Sequence, residues 1–296
     1  MASGIVIFGC GYLGSELARQ AIAKGLRVTA LTRNKETAAV LRSLGAELVL
    51  EAQLEEDAWH SQINPTQDFV VNCVGSSGGG IEGYVKSYLN GQESIARWAA
   101  DGAIGTYLFT GSVSVYPQTD GSLVNEKASC DGASDRGDLL LASEAIGFPG
   151  SPAVKRSFVL RLAGIYGPGR HVFLSRIRDG ETSLPGDGEA WLNLIHRDDA
   201  CSAIWAALES LPEIVGHIFN VSDGHPVLRQ ELVNWLAGEM EVEPPSFSGI
   251  ANPGRTAPGA RLPNRKIDNG RIREELGWEP RYPSFREGYR DLLTEK

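Results

Sequence analysis

The chain has no apolar run that approaches the ~18 residues a membrane span needs. It is short of cysteine: Cys10, Cys73, Cys130 and Cys201 are scattered and form no CxxC pair, so the expectation is reduced thiols in or near the core of a cytoplasmic protein, and no metal site. It is also short of positive charge. With 28 Lys and Arg against 37 Asp and Glu, the net charge is −9, which argues against nucleic acid or an anionic membrane as a partner. The opening MASGIVIFGCGYLG lacks a basic n-region and is broken by glycines, so it reads as a strand and turn instead of a signal peptide.

What is present is ordinary globular composition, 42% hydrophobic and 22% charged, over 296 residues. That suits one large α/β unit or a fold with an appended lobe. Apolar runs at 4–8, 27–31, 46–50, 68–72 and 106–110 alternate with helix-like stretches at 13–24, 35–44, 55–61 and 83–100. The runs are apolar nearly throughout, as in parallel strands covered on both faces, and the alternation predicts a doubly wound α/β sheet of Rossmann type. After residue 117 a polar loop leads to a helix near 136–147, strand 157–163, a helix at 197–210 and strand 217–222. Helices near 228–239, 269–276 and 285–293 follow in a segment rich in Pro and Gly. The expected division is 1–166 with 197–225 as the dinucleotide-binding domain, and 167–196 with 226–296 as a small substrate lobe.

Gly9-Cys10-Gly11-Tyr12-Leu13-Gly14 follows the first strand and opens a helix. A GxGxxG motif in that position permits a tight turn, brings a pyrophosphate close to backbone at Gly11, and lets helix and strand pack at Gly14. The phosphates would then sit at the helix N-terminus. The second strand closes on Leu31-Thr32-Arg33-Asn34-Lys35, where an acid would bond a ribose 2′-hydroxyl and a base would meet a 2′-phosphate. Thr32, Arg33 and Asn34 therefore point to NADP, with NAD as the alternative; a solvated turn is the plain reading of Arg33.

These features, with Thr110-Gly111-Ser112-Val113-Ser114-Val115-Tyr116, Leu160 to Arg170, Asn193 to Asp199 and Asp268 to Pro280, resemble the extended short-chain dehydrogenase/reductase superfamily, its NAD-dependent epimerase/dehydratase family. The likeness covers almost the whole chain and looks closest to a bacterial YeeZ-like subgroup. It implies that Ser112 polarises a substrate oxygen and that Gly75 and Ser76 line the cofactor cleft. It also implies that Gln53, with neighbouring Leu54, meets the adenine, and that Ala163 and Gly164 run past the nicotinamide. The helices at 83–100 and 136–147 occupy the family's dimer position, which makes a homodimer one option while the oligomeric state stays open.

Two departures qualify the resemblance. The family's Tyr-x-x-x-Lys acid/base pair is missing: registering on Glu144 puts Arg136 at the Tyr place and Leu140 at the Lys place, and 117–144 holds neither Tyr nor His. An Arg that grips the diphosphate of nucleotide sugars is replaced by Leu192, beside Ala190 and Trp191. Tyr84, Tyr88 and Tyr166 are candidate substitute donors; His196 with Asp198 and Asp199 reads more readily as a helix cap, Arg161 as a buried strut, and Lys155-Arg156 as a solvated strand start. The leading expectation is an oxidoreductase acting on a small carbonyl or alcohol that is not a nucleotide sugar. The competing one is a non-catalytic NADP(H) sensor.

Overall fold

In the computed structural model the first apolar run, GIVIF, is wholly buried, as a strand covered by helices on both faces must be. The model describes residues 3–76, 78–147, 151–215, 217–249 and 263–294. Part of the expected small lobe, 250–262 and 295–296, lies outside the described residues. Seven strands form the main sheet: β1 (Gly4–Phe8), β2 (Arg27–Thr32), β3 (Leu48–Glu51), β4 (Thr66–Asn72), β5 (Ala103–Ser112), β6 (Val154–Leu162) and β7 (His217–Val221). Their spatial order is β7-β6-β5-β4-β1-β2-β3, and the pairings from β3 through β5 are parallel. This is the doubly wound Rossmann-type order, with its switch point between β1 and β4.

The helices beside the sheet are α1 (Tyr12–Ala23), α2 (Lys35–Ser43), α3 (Gly80–Tyr84), α4 (Gly91–Ala99) and α5 (Asp135–Ile146). Asn34 caps α2 by accepting from the Thr37 N–H, and Ser134 caps α5 by accepting from the Gly137 N–H. Where sequence periodicity gives one helix at 83–100, the chain forms α3, a π-helical segment Val85–Asn90, and α4 in unbroken succession. The stretch expected as a helix at 55–61 is a 3₁₀ helix, Asp57–Gln62. Phe8, Trp59, Trp98, Tyr107 and Phe109 anchor the core under the sheet, with the Phe8 and Trp59 rings 4.8 Å apart.

By internal packing the chain divides into Met1–Val115 with Gly132–Arg161 and Cys201–Phe219, and a second unit of Tyr116–Asp131, Leu162–Ala200 and Asn220–Lys296. The loop 116–131 thus belongs to the second unit, where the sequence assigns it to the first. The reason is backbone pairing: Leu123–Val124 lies parallel to Lys266–Ile267, and the buried Tyr116 hydroxyl donates to Asn220. The second unit has its own core around Tyr166, Leu174, Leu232, Phe285 and Tyr289. Short pairings brace it, Gly164–Tyr166 with Leu194–His196 and Trp191–Leu192 with Val227–Leu228.

Candidate functional site

The turn after β1 shows a different requirement at each of its glycines. Gly9 has φ +79°, and a Cβ there would stand 2.6 Å from the Val74 backbone in the loop after β4. A Cβ on Gly14 would stand 2.5 Å from the Gly9 carbonyl oxygen, so helix and strand approach as closely as the motif demands. Around Gly11 nothing lies within 4 Å of that position. The first turn of α1 carries no acidic residue and no side-chain cap, so its N–H groups and the positive end of the helix face this open space. Tight packing at two glycines and emptiness at the third make a cradle that fits a diphosphate.

The other expected positions are placed unevenly around this turn. Thr32 is buried, donating to the Cys10 carbonyl and accepting from the Asn34 N–H, so it braces the turn. Asn34 is committed to capping α2, and its amide also donates to the Glu36 carboxylate at 3.1 Å. Arg33 is exposed and, among the described residues, makes no hydrogen bond or ion pair. Gln53 is exposed and donates to Glu56, whereas Leu54 is buried in the core, leaving only its backbone for any ligand. Gly75 and Ser76 follow β4 at the switch point; Gly75 has open space at its Cβ position. Tyr12 is half-buried and Leu13 is buried. Ala163, buried, and Gly164, exposed, belong to the second unit.

Ser112 ends β5, partly exposed, with its Oγ accepting from the Ser114 N–H at 3.1 Å. The turn Val113–Val115 that follows packs against α5, the helix that holds Arg136 and Leu140. Leu140 is 1% exposed, a core position with no access to a ligand. Arg136 lies with its guanidinium 5.4 Å from the centre of the Tyr84 ring, which in turn is 5.1 Å from that of Tyr88. Tyr88 also packs edge-on against Phe109, and Tyr166 is buried and stacked on Tyr289 at 4.8 Å. Of the three candidate tyrosines, Tyr84 and Tyr88 are half-buried, and Tyr84 has a cation beside it.

Several polar residues have purely structural duties. Arg161 grips Glu144 at 2.6 Å, both buried. Arg156 corrects the expectation of a solvated strand start: it donates to Thr106 Oγ1 and to the carbonyls of Leu208, Ser210 and Leu211. A lone basic residue at a strand start gives no hint of those carbonyls, which come from residues 50 positions and more away. His196 is buried, accepts from the Asp198 N–H through Nδ1, and burial holds its pKa below the ordinary value. Asp199 accepts from the backbone N–H groups of Arg281 and Tyr282. Burial pushes the Cys10 thiol up to about 12, so it is inert.

The model of the NAD dependent epimerase/dehydratase family matches residues 5–135 and 152–222. Protein YeeZ of Escherichia coli K12 is 30% identical over 287 residues, covering 94% of this chain and 96% of its own. A functionally unknown conserved protein from Silicibacter pomeroyi is 26% identical, with a TM-score of 0.76 over 99% of this chain and 98% of that one. The fold is also that of DesIV, a dTDP-glucose 4,6-dehydratase of Streptomyces venezuelae solved with NAD and TYD bound. It matches at 20% identity with a TM-score of 0.81 over 97% of each chain.

Proposed function

The chain belongs to the NAD-dependent epimerase/dehydratase family, and on that premise we propose that it is a cytoplasmic NADP(H)-binding oxidoreductase acting on a small carbonyl or alcohol. The observation that carries the reading is the cradle at Gly11: open where a pyrophosphate would lie, and closed by backbone at Gly9 and Gly14. The bound cofactor would supply or accept hydride. Arg33, exposed and without a partner among the described residues, supports the 2′-phosphate preference, because a guanidinium–phosphate bond is charge-assisted and bidentate. Ser112, at the end of β5, would donate to the substrate oxygen and so favour charge developing there. Four free cysteines suit a reducing compartment.

The substrate we propose is not a nucleotide sugar. Leu192, where the resemblance places a diphosphate-gripping Arg, packs against the core of the second unit and offers no donor beyond its backbone. A second reading, a dinucleotide sensor without catalysis, is favoured by one observation: buried Leu140 stands where the family's Lys belongs. A screen of small carbonyl compounds that follows NADPH oxidation separates the two. The enzyme reading expects a weak activity that Ser112→Ala lowers by about 10²-fold, in the range of a lost oxyanion donor, while NADPH affinity stays the same. No turnover across the screen, with every property unmoved by Ser112→Ala, leaves the sensor.

A further inference from the structure

The first turn of α5 holds a guanidinium that its own chain does not satisfy. Arg136 is half-buried, and among the described residues it enters no hydrogen bond and no ion pair; the Tyr84 ring lies beneath it at 5.4 Å. The placement runs against helix energetics, because a cation in the first turn meets the positive end of the dipole. Asp135 and Asp138 share that turn at positions the dipole favours, yet neither pairs with Arg136. The arginines doing structural work in the same unit are engaged otherwise: Arg161 holds a carboxylate and Arg156 a ring of carbonyls.

The position of Arg136 relative to Ser112 gives this guanidinium a use. A Cβ on the adjacent Gly137 would stand 3.4 Å from the Ser114 carbonyl oxygen, so the first turn of α5 lies directly on the turn that follows Ser112. α5 also packs on α3 and on the π-helical segment Val85–Asn90, the continuation of the glycine-rich loop after Gly75 and Ser76. We infer that Arg136 anchors an anionic group of the substrate, and that this group is a carboxylate carried close to the reacting carbonyl. A single planar fork matches a planar monoanion through two parallel hydrogen bonds. A phosphate dianion would meet one cation with the charges of Asp135 and Asp138 on the same turn. Tyr84 fixes the plane of the fork by cation–π contact at a partly exposed site.

The substrate class rests on the oxidoreductase reading; the anion site itself does not. The test titrates oxamate, neutral oxamide and inorganic phosphate calorimetrically into the protein with and without NADPH. Oxamate is expected to bind at least tenfold more tightly than oxamide and more tightly than phosphate. Arg136→Leu should weaken oxamate tenfold or more and Arg136→Lys by less, with NADPH affinity equal to wild type in both. If Arg136→Leu does not fold, Arg136→Gln takes its place in the series. Wild-type protein that does not bind oxamate, equal oxamate affinity after loss of the guanidinium, or tighter phosphate binding overturns the inference. Failure of NADPH to bind would sink the cofactor reading instead, and the titration without NADPH would still decide the role of Arg136.

Discussion

In the first unit the buried charges answer one another: Arg161 and Glu144, 5% and 6% exposed, meet at 2.6 Å through several N–H···O contacts. In the second unit Asp223 is 4% exposed and bonded at one oxygen only, to the His225 N–H, while its other oxygen and the buried Tyr166 hydroxyl have no hydrogen-bond partner among the described residues. The contrast separates two uses of polar groups. The first unit pairs its buried charges and leaves its conspicuous gap at the bare start of α1 over Gly11. The second unit keeps unsatisfied groups inside, where they cost stability to a degree that pH sets.

The largest effect should come from filling that outward gap. Gly11→Val would put a branched side chain in the space a pyrophosphate needs, so NADPH affinity should fall by at least ~10³-fold, about 4 kcal/mol. The melting temperature without cofactor should hardly move, because no atom lies within 4 Å of the substituted position. Titration and thermal melts read the two quantities separately; retained affinity in a folded variant removes the site from this turn.

Next in size is breaking the framework. Glu144→Gln leaves the Arg161 guanidinium buried against a neutral amide, and stripping one partner from a buried pair costs about 3–5 kcal/mol. Denaturant unfolding should show that loss, with NADPH affinity per folded molecule unchanged. A loss below ~1 kcal/mol would mean that water reaches the pair and that the contrast between the units is overstated.

A smaller effect belongs to Arg33, exposed and unpaired at the end of β2. Arg33→Ala should narrow the preference for NADPH over NADH by roughly ten- to hundredfold, the worth of one charge-assisted bond at ~1.5–3 kcal/mol. Glu36, held by Asn34 in the first turn of α2, opposes the phosphate, so Glu36→Gln should widen the same ratio. An Arg33→Ala variant whose ratio is unaltered leaves NADP without its support.

The parts of this picture that could be read from sequence are those that repeat or that obey backbone rules. Strands β1 to β5 announce themselves because a strand covered on both faces is apolar nearly throughout, and Gly9, Gly11 and Gly14 because each spacing answers to a local steric need. Two-residue pairings such as Leu123–Val124 with Lys266–Ile267 carry no period to read, and they moved the loop 116–131 into the second unit. The π-helical turn at Val85–Asn90 keeps a helical pattern of residues, so periodicity cannot tell it from an α-helix. The absence of a Tyr-Lys pair was legible on α5. The guanidinium over the Tyr84 ring was not, because it joins positions 52 residues apart.

The last effect is spread over pH and tests the second unit. Burial, opposed by the His225 N–H and reinforced by Asp199 and Glu287, raises the Asp223 carboxyl to about 8. In the unfolded chain the same group titrates near ~3.9. Below that value both states hold the proton and Asp223 imposes no penalty. Between ~4 and about 8 the unfolded chain has released its proton while the native state retains it, so stability falls steadily as pH rises, and the loss levels off above about 8. Asp223→Asn removes the titrating group while its amide oxygen can still accept from the His225 N–H. The variant should therefore match wild type near pH 4 and melt increasingly above it from pH 5 to 8, with the widest margin at the upper end. Its margin should not track NADPH concentration, since the group lies outside the cradle's unit. A margin constant across that range would show that the carboxyl is hydrated and the interior of the second unit as well satisfied as that of the first.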